Sequence, residues 1–184
     1  MGVHPRRSAV PALVLALALA PPLSLRPAQA APASAYRMDL SFVDDHGSRR
    51  ALSEWRGRPV VIAMAYGACR SVCSTTLRTL EELQALADRE GASLDVVVVS
   101  IDPAEDTPQA WSDYRAARRL QRTNWTFLSG DKDATRTLAR FLGVTFWSYD
   151  EHVLHNLRIV RLGPDGEPGA ALDWNHRKVE SLLR

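Results

Sequence analysis

What this 184-residue chain lacks narrows its reading. It has no internal repeat and no low-complexity tract, so it reads as one domain, long enough to bury a sizeable core. It has no strong charge bias: 23 basic and 21 acidic residues leave a formal net charge of +2. Even that surplus sits at the N-terminus, where residues 1–30 carry Arg6, Arg7 and Arg26 and no acid. Setting those three aside leaves 20 basic against 21 acidic residues, near −1. No basic patch remains to argue for a nucleic-acid partner. The N-terminal apolar run, Ala9 to Ala20, stops at Pro21-Pro22 after about a dozen residues, too short to span a bilayer comfortably as a helix. And there are only two cysteines, Cys69 and Cys73.

What is present begins with a leader. A basic start, the apolar run and then Ala28-Gln29-Ala30 have the layout of a secretory signal peptide over residues 1–30, leaving a single domain over 31–184. The rival reading is an uncleaved N-terminal anchor. Ala33-Ser34-Ala35 offers a second cleavage pattern. The expected location is therefore periplasmic or otherwise extracytoplasmic, in free or membrane-anchored form.

Export bears on the thiols, because outside the cytosol two cysteines normally form one disulfide. A purely structural bridge is the plainest reading of Cys69 and Cys73. A bridge stabilises most when it closes a long loop, and this one would close a very short one. Stability is thus a weak reason for the pair, and chemistry a stronger one.

The segment Tyr36–Trp55 reads as a strand, a turn at Asp44-Asp45-His46-Gly47 and a second short segment. "RPVVIAMAYG" and "SLDVVVVSID" read as buried strands. Leucines at 77, 80, 83 and 86 predict a helix from Ser74 to about Glu90, stopped by Gly91. Thr107-Pro108 opens a second helix, with Trp111, Tyr114 and Leu120 inward. "WTFLSG" is a short strand, and Asp131 caps a helix that carries Leu138, Phe141 and Leu142 and ends at Gly143. "NLRIVRLGPDGEP" is a strand entering a Pro-Asp-Gly turn, and the tail from Asp173 predicts a final helix. Alternating strands and helices predict an α/β domain with a central mixed sheet flanked by helices.

Cys69 thus follows a strand, and Cys73 falls near a helix start. Four apart on a regular helix, their Cβ atoms would lie roughly 6 Å apart. A disulfide wants about 3.8 Å, so bridging requires Cys69 in the loop or a distorted first turn. Such a pair can switch between dithiol and disulfide or hold a metal between two sulfurs. The partial positive charge of a helix N-terminus favours the thiolate either task needs. Two thiolates suit Cu(I), and a third ligand must come from elsewhere. His46 and His176 read as solvated. His152 and His155 lie just before a predicted strand at the sheet edge, and each alone is more often a surface or satisfied histidine than a ligand. A zinc site from Cys69, Cys73, His152 and His155 is conceivable, but its halves are about eighty residues apart, where compact zinc modules use much shorter spacings. Met64 reads as core.

Three motifs resemble the SCO/SenC family of copper chaperones: "YGACRSVC", "VSIDPAEDTPQAWSDY", and "HNLRIVRLGPDG", with its histidine eleven residues ahead of the final glycine. The likeness covers about Met38 to Gly169. It implies a thioredoxin-like fold and selects His155, with Cys69 and Cys73, as a copper-binding set. It also implies a metallochaperone role in copper-site assembly, chiefly the copper A centre of cytochrome c oxidase. The implied partner is that oxidase's copper subunit or another exported copper protein, with association at the membrane surface. The alternative is a thiol-disulfide oxidoreductase using Cys69 and Cys73 on the cysteines of a copper protein. The chain departs from the family pattern at Arg70 and Ser74, where prolines are usual, and at Leu154, where an aspartate commonly supports the histidine. The last difference predicts a missing partner for the His155 ring.

Overall fold

A computed structural model describes residues 1–2, 33–67, 72–150 and 152–184, with side chains in the first helix from residue 75 onward. Apart from its first two residues, the expected leader lies outside the described residues. Cys69 and Arg70 lie outside them too. The compact unit is Ala31–Arg184. Among the described residues no helix is long and apolar enough to cross a membrane.

The chain order is β1 (Phe42–Asp44), β2 (Arg49–Arg50), β3 (Val60–Ala65), α1 (Val72–Glu90), β4 (Asp95–Ser100), α2 (Pro108–Arg118), β5 (Trp125–Gly130), α3 (Lys132–Leu142), β6 (Phe146–Tyr149), β7 (His152–His155), β8 (Ile159–Leu162) and β9 (Pro168–Leu172). Seven strands form one sheet in the order β2-β1-β5-β4-β3-β8-β9. Its centre is parallel, β3 against β4 against β5, and its flanks are antiparallel. The α/β expectation with a mixed sheet holds.

The central strands read as unbroken apolar runs because both faces are covered. All six residues of β3 are buried, Met64 among them, and so are Val96 to Ser100 of β4. Helix α1 lays Leu77, Leu80, Leu83 and Ala87 into the core, and Gly91 follows it at φ 65°. Trp125 and Phe127 share one face of β5. There Gln84 of α1 accepts the Trp125 indole N–H at 2.8 Å, and Trp111 of α2 packs on Phe127 with ring centroids 5.1 Å apart. Helices α1 and α2 therefore cover the same face. The caps are as the sequence predicts. Thr107 Oγ1 accepts the Ala110 N–H at 3.2 Å, Asp131 Oδ1 accepts the Ala134 N–H at 2.7 Å, and Gly143 leaves α3 at φ 73°.

Three expectations need correction. Leu120 is buried but lies beyond α2, which ends at Arg118 with Arg119 in the left-handed region at φ 57°. The tail forms only a short 3-10 turn, Val179–Leu182, with Leu182 fully buried. So little apolar surface leaves an isolated terminal helix unsupported. Finally, His152 and His155 precede β8, as expected, but β8 lies inside the main sheet between β3 and β9, and the two histidines stand in a strand of their own. They are the ends of β7, which pairs with β6 as a separate two-stranded hairpin turning at Asp150, φ 55°.

Leu80→Ala is expected to lower the unfolding free energy of the reduced protein by about 3 kcal/mol, read by urea denaturation. A loss under about 1 kcal/mol would contradict the packing of α1.

Candidate functional site

The segment that leads to the cysteines is fixed from two sides. Strand β3 ends at Ala65, whose carbonyl accepts the Ile101 N–H at 2.9 Å. Tyr66 follows, buried, and then Gly67, whose N–H donates to Asp106 Oδ1 at 2.9 Å. Side-chain room at Gly67 is short, since a Cβ there would meet that same carboxylate oxygen at 3.1 Å. Cys73 is the second residue of α1, at the positive end of its dipole, as the spacing predicts. Its side chain, and all of Cys69, lie outside the described residues.

Asp106 sits at the centre of a polar cluster inside the "SIDPAEDT" stretch. Its Oδ2 accepts the Ser100 hydroxyl at 2.6 Å. Ser100 Oγ in turn accepts the Asp102 N–H at 2.9 Å. The Asp106 carbonyl accepts the Ser129 hydroxyl, and Ser129 Oγ accepts the Trp111 indole N–H at 3.0 Å. The carboxyl is buried, and burial pushes its pKa up to about 6 against the opposing pull of the Ser100 and Gly67 hydrogen bonds. Spacing along the chain does not single out Asp106 within this motif. One chain does not tell a buried acid from a surface one.

His155 lies at the far end of β7, buried at 6% exposure, with its ring edge-on to Tyr66 at 6.4 Å between centroids and 74° between planes. Its Nδ1 lies 2.8 Å from the Asn156 carbonyl oxygen. A carbonyl only accepts, so this contact holds the proton on Nδ1 and makes Nε2 the lone-pair nitrogen. That is the arrangement of a metal-ligating histidine, whose other nitrogen donates to a carbonyl or carboxylate. The partner expected to be missing at Leu154 is supplied by the backbone one residue beyond His155.

His152, three residues earlier, is on the opposite face of the strand and exposed. The two histidines thus do not converge, which weighs against the zinc set. His46 and His176 are exposed, as expected. Met64 is buried in β3. Among the described residues no three His, Cys, Asp or Glu side chains gather as a metal site, so the expected set depends on the sulfurs of Cys69 and Cys73. The polar cleft lined by Asp44, Asp45, Arg50 and Arg115 offers no rival site. The Arg115 guanidinium is already used by Asp45 and by the carbonyls of Leu120 and Arg122.

A family model described as SCO1/SenC matches residues 28–182. The chain belongs to the SCO1/SenC family. A Stutzerimonas stutzeri protein named for copper binding is 28% identical over 133 residues, covering 69% of this chain and 64% of that protein. The chain thus spans a little under two thirds of that relative's length. Among solved structures, Arabidopsis thaliana ScoI with copper bound matches with a TM-score of 0.68 and 21% identity over 78% of this chain and 90% of that one. BsSco, described as a Sco-family cytochrome c oxidase assembly protein with a disulfide switch, matches at 0.69 and 18% over 83% and 95%. These likenesses show the fold, which is thioredoxin-like.

The raised Asp106 pKa links stability to pH. In the unfolded chain the carboxyl titrates near 4. In the fold it titrates near 6. Its stabilising contribution is present below about pH 4 and lost as pH rises through about 6. Over pH 4 to 7, wild type should lose about 2 kcal/mol of stability relative to Asp106→Asn, measured by denaturant unfolding. A pH-independent difference between the two proteins would contradict that linkage.

Proposed function

We propose that this chain is an exported copper-binding metallochaperone that uses Cys69, Cys73 and His155 to carry Cu(I) to an exported copper protein, foremost the copper A centre of cytochrome c oxidase. One observation carries the reading. The fold brings His155, with Nε2 as its lone-pair nitrogen, against Tyr66, three residues before Cys69. A remote imidazole thus meets the residue that leads toward the thiols, which supports the three-ligand reading. Family membership and the copper-bound relatives support the same reading.

Two thiolates and one imidazole form a soft donor set, matched to Cu(I) and poor for hard cations. The dipole of α1 favours the Cys73 thiolate, and the charge of Arg70 adds to it. Copper is cargo here, so the site must also release it. Three ligands leave room for a client thiolate to enter before one of the chain's own leaves. The N-terminal leader fits action outside the cytoplasm, at or near a membrane surface.

The disulfide switch described for BsSco favours a second reading, reduction of a client's cysteines. One thiolate attacks the client disulfide, forming a mixed disulfide and releasing one client thiolate. The second cysteine attacks the mixed disulfide and frees the other. Two electrons pass to the client, and Cys69 and Cys73 end as a disulfide.

Titration of the reduced protein with Cu(I) under a competing chelator should give one equivalent bound. Binding should fail in Cys69→Ser and Cys73→Ser and weaken by about tenfold or more in His155→Ala. Wild-type affinity in His155→Ala would remove the three-ligand site. The reduction potential of the pair should lie above about −300 mV; a lower value would mark an inert structural bridge.

A further inference from the structure

We propose that Tyr66 is a positioning residue for this centre: its phenol holds the strand that carries His155 against the segment that leads to Cys69. The inference rests on the copper reading above and deepens it.

Tyr66 is the first residue beyond β3 and is 5% exposed. It is therefore anchored to the most buried strand of the sheet. Its hydroxyl oxygen accepts the Val153 N–H at 3.3 Å. Val153 is the second residue of β7, and His155, two residues on, shares its face of the strand. Among the described residues, strand β7 has one strand neighbour, β6. The Tyr66 hydroxyl takes the place of a neighbouring strand on the other edge. The same side chain presents its ring edge-on to the His155 imidazole.

Two independent constraints thus act on one ligand. The Asn156 carbonyl fixes which nitrogen carries the proton. Tyr66 fixes where the ring stands relative to the main sheet. On the other side of the same backbone, Asp106 holds Gly67. The residue pair Tyr66-Gly67 is therefore tied to the histidine hairpin through one side chain and to the "SIDPAEDT" stretch through one amide. Phenylalanine at position 66 would keep the ring and lose the acceptor, leaving β7 with one fewer tie to the sheet.

The test is a double-mutant cycle on the reduced chain without its leader: wild type, Tyr66→Phe, His155→Ala and the double variant. Cu(I) affinity is read by chelator competition, and amide exchange at Val153 is read on the metal-free protein. Tyr66→Phe is expected to weaken Cu(I) by about tenfold, to speed exchange at Val153, and to have no effect on affinity once His155 is alanine. Wild-type affinity in Tyr66→Phe, with His155→Ala weakened, would overturn the positioning role and leave the copper reading standing. Equal losses in both backgrounds would also overturn it, since Tyr66 would then be acting on the fold in general. Unchanged affinity in His155→Ala would remove the copper ligand and, with it, any role for Tyr66 in placing it.

Discussion

The arrangement around the candidate centre depends on one buried carboxyl. Asp106 receives the Gly67 N–H on one oxygen and the Ser100 hydroxyl on the other. The first bond fixes the chain two residues before Cys69, and the second fixes the carboxyl to the end of β4. An acid is costly to bury, and the upward push on its pKa expresses that cost. The molecule retains it because an uncharged alternative at this depth must still satisfy an amide and a hydroxyl that point at the same place. Trp111 and Ser129 close the cluster from α2 and β5. Four elements thus meet at the stretch that precedes the thiols.

Much of the scaffold was legible because its signals are local. Thr107 before Pro108, Asp131 three residues before the amide it caps, and Gly143 after Leu142 each encode a boundary within one turn of chain. Leucines at helical spacing exposed the inward face of α1, and the valine runs of β3 and β4 announced strands covered on both sides. The position of Cys73 at the head of α1 followed from the same cues.

The hairpin was not legible, and the reasons are physical. Its turn uses Asp150 in a left-handed conformation without the glycine that usually advertises one. Among the described residues its strands pair only with each other, so their aromatic residues are not read as part of a continuous core. Trp147 and Tyr149 are largely exposed. His155 was selected through a family resemblance, since nothing in its own neighbourhood separates it from His152. The fold separates them by strand parity, one buried and one exposed. Asp106 and Tyr66 escaped because their roles lie in contacts with residues 39 and 87 positions away, which spacing along the chain does not encode.

The hairpin's independence from the main sheet has a consequence for how such a centre can be adjusted. A strand inside a sheet moves only in whole register steps, and a one-residue slip turns its side chains to the other face. Strand β7 is under no such quantisation, because among the described residues no ladder joins it to the seven-stranded sheet. It is docked through side chains, and docking distances vary continuously. The imidazole can therefore be advanced or withdrawn by fractions of an ångström through changes in a single packed ring, and under the proposed copper reading its hold on the ion would be graded rather than on-or-off.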